Sequence, residues 1–184
     1  MKFELETECL ILRTLNRDSA PDVCRFYQKN YDYLSAWEPN LSPHFLSVEA
    51  LEKFLELDFK NMLSGTGVRY WFSFRSKPDS IIGSVNFQNI RKGAFKSCQA
   101  GYKIDESFAG LGLTSEAVRC AISSLIRDEK LHRFEAIIAT DNSPSIGLAE
   151  KLGFVNEGIA RQYVRINDKW TDCYMYSLLD NELK

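Results

Sequence analysis

Long apolar runs, paired cysteines and a marked excess of either charge are missing from this chain of 184 residues, and histidines are few. No stretch approaches the roughly 20 apolar residues of a membrane-spanning helix. The opening MKFELETECLILRTL is broken by acidic residues, unlike a signal or transit peptide, so the chain reads as soluble and cytoplasmic. The two histidines, His44 and His132, are too few for a histidine-based metal site, and no metal is expected. The five cysteines are scattered and odd in number, and they form no C-x-x-C pair. That argues against a disulfide framework or zinc site and for reduced, mostly core thiols. With 23 Lys+Arg against 25 Asp+Glu there is no basic excess, which argues against a broad nucleic-acid surface. The 10 Gly and 5 Pro form no linker, and no repeat or low-complexity tract divides the chain. These features predict one domain over residues 1–184, long enough to remove about two-thirds of its surface from water without staples.

The patterning that is present alternates between strand and helix. Cys9 to Arg13 reads as a first strand. Asp18 or Ser19 then caps a helix with Val23, Phe26 and Tyr27 on one face, which ends in the loop around WEPNLSPHF where two prolines interrupt it. Ser47 opens a second helix whose stripe is Leu51, Phe54, Leu55, Phe59, Met62 and Leu63, closed by Gly65. Arg69–Arg75, Ile81–Ile90 and Phe95–Ile104 are aromatic and β-branched, and predict an antiparallel meander; Gly101 inside the third suggests a bulge or a close approach by another backbone. A glycine loop leads into a helix with Ala117, Val118, Ala121, Ile122, Leu125 and Ile126 inward. Phe134–Ala139 is a fifth strand. Ser143 and Pro144 start a short helix that Gly153 caps, and two final strands turn at Asn167-Asp168. The order β-α-α-β-β-β-α-β-α-β-β describes an α/β fold with a mixed sheet and helices on both faces.

The strongest local signal for chemistry is the strand–glycine loop–helix unit KIDESFAGLGLTSEA. A helix N-terminus carries unpaired amide donors and the positive end of the helix dipole, so it can receive an anion. Gly110 and Gly112 allow backbone to approach a phosphate closely. The loop lacks the Lys-Ser/Thr of a nucleotide P-loop and does not fit G-x-G-x-x-G, so alone it also reads as a plain turn.

Its neighbours add specificity. LILR near the start, YLSAWEP, IIGSVNFQNI, GYKIDESFAGLGLTSEA, NSPSIGLAEKLGFVNEG and INDKWTDCYMYSL occur in one order and at suitable spacing. Together they resemble the GNAT superfamily of acetyl-CoA-dependent N-acetyltransferases and, within it, the branch that acetylates N-terminal alanine or serine of ribosomal proteins. The resemblance runs from about Glu6 to Leu179. It implies a twisted mixed sheet of about seven strands that splays between its fourth and fifth, with acetyl-CoA as cosubstrate. The acetyl and pantetheine groups would lie along Lys103 and Ile104, with the Ile104 amide facing the thioester oxygen. The pyrophosphate would sit on the amides of Gly110, Leu111, Gly112, Leu113 and Thr114, beside Ala109. Asn142 would reach the pantetheine, and Ser145 would lie near the sulfur as proton donor. Trp37, Glu38 and Asn86 would border the acceptor, with Glu38 as base or amine anchor. The chain departs from the family at the phosphate loop, where Gln or Arg is usual in place of Ala109, Gly or Ala in place of Thr114, and often Lys in place of Leu111.

Blander readings of the same residues stay open. Asn142 also reads as a turn residue, Ser145 as a first-turn hydroxyl, Trp37 as a core side chain and Glu38 as a solvated carboxylate. On chemistry, an α-amino group titrates near 7.7–8.0 and a lysine near 10.4, so roughly a tenth of α-amines are already neutral at pH 7. The lack of a paired-carboxylate motif therefore suits a protein N-terminus better than a lysine. A small amine (polyamine, amino acid or aminoglycoside) and a non-catalytic coenzyme-binding module are the alternatives, and the chain is a monomer or a homodimer.

Overall fold

The computed structural model describes residues 1–38 and 43–183. Its strands are β1 (Glu4–Glu6), β2 (Leu10–Arg13), β3 (Val68–Phe74), β4 (Gly83–Arg91), β5 (Ser97–Ile104), β6 (Arg133–Ala139), β7 (Val155–Ile166) and β8 (Lys169–Leu179). The helices are α1 (Ala20–Lys29), α2 (Tyr31–Ser35), α3 (Val48–Ser64), α4 (Leu113–Glu129) and α5 (Ser143–Leu152). The strands form one sheet in the order β1-β2-β3-β4-β5-β6-β8-β7, antiparallel except at the β5–β6 pair. This mixed sheet has eight strands rather than seven. The additional one, β1, offers only Leu5 to the core and is too short to show a period. It pairs with β2 through a tight turn in which the Leu10 amide donates to Thr7 Oγ1 at 2.8 Å.

The helices start and stop where side chains satisfy their ends. Ser47 accepts from the Ala50 amide at 3.2 Å, and Gly65, at φ 74°, closes α3. Ser19 stands at the N-cap position of α1, as one of the two candidates, but its side chain makes no capping hydrogen bond. The side-chain cap is one turn earlier, where Asn16 accepts from the Asp18 amide and opens a single 3-10 turn, Arg17–Ser19, that runs into the helix. Leu63, read as part of the α3 stripe, is 66% exposed, because the buried face runs through Leu51, Leu55 and Met62 and Leu63 lies one position further round the helix. The WEPNLSPHF segment falls partly outside the described residues.

Two apolar layers cover the sheet. On one face, Ala117, Val118, Ala121, Ile122 and Leu125 of α4, with Ala149 and Leu152 of α5, pack on Phe72, Val85, Phe87 and Phe134. On the other, Val23, Phe26 and Tyr27 of α1 with Leu51 and Leu55 of α3 surround Trp71, whose ring meets those of Phe26 and Tyr27 edge-on. Cys24, Cys98 and Cys173 are buried, Cys120 half-buried and Cys9 exposed, and all five are free thiols.

Candidate active site

The meander and β6 separate almost as soon as they meet. β5 pairs with β6 only at Ser97, Cys98 and Gln99, and beyond that the two strands splay. The gap opens into a cavity of about 750 Å³. Strand alternation decides which backbone groups of β5 face it. The Asp105 amide donates to Ile82 on the β4 side at 2.8 Å. Successive peptide groups point to opposite edges, so the N–H of Ile104, and that of Tyr102 before it, face the splay. The backbone of Lys103 faces β4, where its carbonyl lies close behind Gly83. Of the two residues expected to offer backbone to the coenzyme, only Ile104 has its amide on the open edge. Tyr102 spans the gap, its hydroxyl donating to the Ser145 carbonyl at 3.0 Å. Burial pushes that phenol well above its ordinary value, so it remains a donor.

The glycine loop emerges from a fixed turn. Buried Asp105 accepts from the Ser107 amide at 3.0 Å and from Lys29 Nζ at 2.6 Å, while Asn30 Oδ1 accepts from the Glu106 amide. Burial alone would raise the Asp105 pKa, but the Lys29 ammonium and the Ser107 amide outweigh it and hold the carboxyl below its usual range. Gly110 and Gly112 then adopt φ 78° and 83°, a left-handed backbone that favours glycine. Gly112 is the N-cap of α4 and supplies no side-chain cap. Among the described residues, the amides of Gly110 to Ser115 have no acceptor in the protein. Ala109 and Thr114 line the cavity; Leu111 points to solvent at 66% exposure, and Leu113 is packed in the core.

Across the gap, α5 begins one residue earlier than its sequence suggested. Asn142, not Ser143, is the N-cap, because its Oδ1 reaches the Ser145 amide at 3.1 Å and leaves Pro144 in the first turn. Asn142 and Ser145 both line the cavity.

The other end of the cavity is walled by Tyr33, Trp37 and Glu38 from α2 and the segment after it, and by the β7–β8 hairpin. The Lys103 side chain extends here, donating to Tyr27 Oη at 2.9 Å and forming an ion pair with Glu38. Asn86 does not line the cavity. Its Oδ1 accepts from Arg69 Nη1 at 3.1 Å, and Arg69 is paired with Asp58 at 2.6 Å. The same Asn86 explains Gly101. A Cβ at Gly101 would lie 2.9 Å from Asn86 Oδ1, so a side chain rather than a backbone crowds the position. The bulge in this hairpin lies in β4, between Gln88 and Arg91.

Sequence reasoning missed the hairpin's contribution. β7 is bulged between Ala160 and Val164, where Gln162 takes φ 50° and its amide donates to Asp172 Oδ1 at 2.7 Å. The bulge breaks the two-residue alternation and turns both Tyr163 and Val164 to the cavity. The hairpin tip, with Asn167 and Asp168 at φ 47° and 63°, reaches α2 through Asn167 Nδ2 to the Ser35 carbonyl at 3.2 Å. The positive φ at Asn167 and Asp168 suits the predicted turn, but nothing local announced Gln162.

A parallel pair that splays beside a glycine-capped helix thus brings an open strand edge and a set of unpaired helix-start amides, which suit an anion, to one cavity. Residues 10–155 match the acetyltransferase (GNAT) domain family. The chain is 30% identical over 178 residues to the [ribosomal protein uS5]-alanine N-acetyltransferase of Escherichia coli (strain K12), across 96% of this chain and 91% of that protein. The crystal structure of the ribosomal-protein-S5-alanine acetyltransferase from Vibrio fischeri superposes with a TM-score of 0.91 at 26% identity, over 100% of both chains. Mycobacterium smegmatis RimJ, solved with CoA-disulfide, shares the fold with a TM-score of 0.87 at 22% identity, over 95% of this chain and 83% of that one. The chain belongs to the GNAT acetyltransferase family. Its class of reaction is acetyl-CoA-dependent N-acetyl transfer.

Proposed function

We propose that the protein acetylates the N-terminal α-amino group of a ribosomal protein in the cytoplasm, drawing the acetyl group from acetyl-CoA by direct transfer. The observation that carries this reading is the cavity wall. It joins the open edge of β5 to the unpaired amides of α4 and contains, among its described residues, a single carboxylate, Glu38. A polyamine or aminoglycoside site would need several carboxylates to balance its ligand's charge, whereas a chain terminus needs room and apolar walls, which Tyr33, Trp37 and Tyr163 provide. The relatives named for ribosomal-protein alanine acetylation support the same acceptor.

Acetyl-CoA supplies an activated acyl group as a thioester. The chain's residues bind and polarise it. The amides of Gly110 to Thr114 donate to the pyrophosphate at the N-terminus of α4. The Ile104 amide, on the open edge of β5, donates to the thioester oxygen as charge develops there. Ser145, held in the first turn of α5, donates a proton toward the departing sulfur. Since the α-amine is already partly neutral near pH 7, no strong base is required of Glu38, whose carboxylate is occupied by Lys103.

The test is intact-protein mass spectrometry of ribosomal proteins incubated with the enzyme and acetyl-CoA. One acetyl group at an N-terminal residue is the expected result. Acetylation confined to lysine side chains or to polyamines would overturn the acceptor assignment.

A further inference from the structure

We propose that Lys103 sets acceptor selectivity by occupying Glu38 from within, so that the acceptor end of the cavity shows no free carboxylate to polycationic amines. This rests on the acceptor reading above and names the residue that enforces it.

The Lys103 side chain is only 9% exposed, yet it borders the cavity directly. It lies over the Tyr27 ring, with Nζ 4.9 Å from the centroid, and donates to the hydroxyl of the same residue at 2.9 Å. Its remaining charge partner is Glu38, whose side chain is 28% exposed at the cavity surface. Ser84, the cross-strand neighbour on β4, is fully buried and has no hydrogen-bond partner among the described residues. Tyr27 and Glu38 are therefore the acceptors that hold the ammonium. Burial works against the charge, but Tyr27 and Glu38 more than offset it and raise Lys103 above its ordinary value, against the opposing field of Arg69. Arg69 is itself matched by Asp58.

The consequence for an incoming amine is electrostatic. Glu38 is the one carboxylate that the described cavity wall could offer to a cation, and its charge is already balanced at contact distance. A peptide N-terminus, which reacts as the neutral amine and gains affinity from apolar contacts along the chain behind it, loses little by this. A polyamine, whose affinity depends on carboxylates, loses most of its attraction. Lys103 is thus a specificity-determining residue.

The experiment compares kcat/KM for spermidine and for a peptide with N-terminal alanine in the wild type, Lys103→Met, Lys103→Arg and the double variant Lys103→Met/Glu38→Gln. Lys103→Met preserves length and removes charge. It should move the spermidine-to-peptide ratio at least tenfold toward spermidine, mainly through KM. Lys103→Arg should keep the wild-type ratio, and the double variant should return to it. An unchanged ratio in folded Lys103→Met overturns the proposal, as does a double variant that keeps the single variant's shift. If Lys103→Met does not fold, Glu38→Gln alone decides. It leaves the lysine charge uncompensated and must move the ratio away from spermidine; a ratio that stays put or moves the other way overturns the proposal. If the wild type acetylates no peptide, the acceptor reading fails separately. Calorimetry of spermidine with the same variants, which must then bind it at least tenfold more tightly in Lys103→Met, still decides the role of Lys103.

Discussion

Gly112 combines two demands that a pair of substitutions can separate. Its φ of 83° is strained for any residue with a Cβ, while a Cβ built there meets no protein atom within 4 Å. Gly112→Ala therefore carries no clash within the protein, only the left-handed penalty of about 1–2 kcal/mol. For a domain of this size each kcal/mol corresponds to about 2–4 °C in melting temperature, so a drop of roughly 2–8 °C is expected. Asparagine tolerates the left-handed region better, and Gly112→Asn should recover most of that loss. Coenzyme binding should rank the variants differently. Both side chains project from a residue that lines the cavity at the head of α4 and should disturb the phosphate contact to a similar degree. Losing about 1.4 kcal/mol of charge-assisted hydrogen bonding weakens affinity about tenfold. Thermal unfolding without ligand measures the first effect, and titration calorimetry with CoA the second. A melting temperature for Gly112→Ala equal to the wild type would refute the strain argument. Wild-type affinity in Gly112→Asn would show that the loop backbone is not where the phosphates bind.

The same geometry carries three further expected outcomes. Ser145→Ala should lower turnover about 10- to 100-fold, at or below the low end of general acid catalysis, with coenzyme affinity and stability intact because the residue-145 amide still meets Asn142; full turnover in a steady-state assay would reduce Ser145 to a helix-start residue. Ala109→Arg should tighten CoA binding about fivefold, from roughly 1 kcal/mol of a solvent-weakened charge-assisted bond, and the gain should shrink in high salt; equal affinity in Ala109→Leu would exclude a charge contact. The Arg133 fork and the Ser177 hydroxyl hold Glu157 at about 2, below its ordinary 4.5. A depressed carboxylate stabilises the fold above its unfolded pKa and loses that contribution as pH falls from about 4.5 toward 2. Because both partners are partly exposed, Glu157→Gln should cost no more than about 1 kcal/mol at pH 7 and flatten the acid limb of a melting-temperature profile; an unaltered limb would refute the assignment.

Sequence patterning made most of the fold readable because its signals are local. The β3–β5 meander, the Ser47–Gly65 frame of α3 and the Asn167-Asp168 turn each depend on residues within a few positions of one another. Strand β1 was hidden because three residues cannot show a period. The start of α5 was displaced by one because Asn142 and Ser143 are both good caps, and only the reach of Asn142 Oδ1 decides between them. For the site, the glycine loop and the Asn142–Ser145 turn lie within continuous stretches and were visible. Of the far wall, Trp37 and Glu38 were visible too, but the hairpin residues and the Lys103 side chain were not. Tyr163 and Val164 enter through a bulge fixed by Asp172 on another strand, and Lys103 takes its role from Tyr27 and Glu38, far away in the chain.

The short seam between β5 and β6 has a mechanical consequence. With three residue pairs joining them, β1–β5 and β6–β8 form two plates joined at one end. So short a seam leaves little backbone pairing to hold the plates at a fixed separation. Part of the resistance to separation comes from underneath, where Phe87 on β4 and Phe134 on β6 meet edge-to-face, 6.0 Å apart, on either side of β5. Both rings belong to the buried core that α4 covers, so that helix lies as a keel beneath the opening. The width of the cleft thereby depends on a pair of aromatic rings that line no part of it, as well as on the Tyr102–Ser145 hydrogen bond that crosses it, so a change of packing beneath the sheet can reach the cleft with every lining residue unchanged.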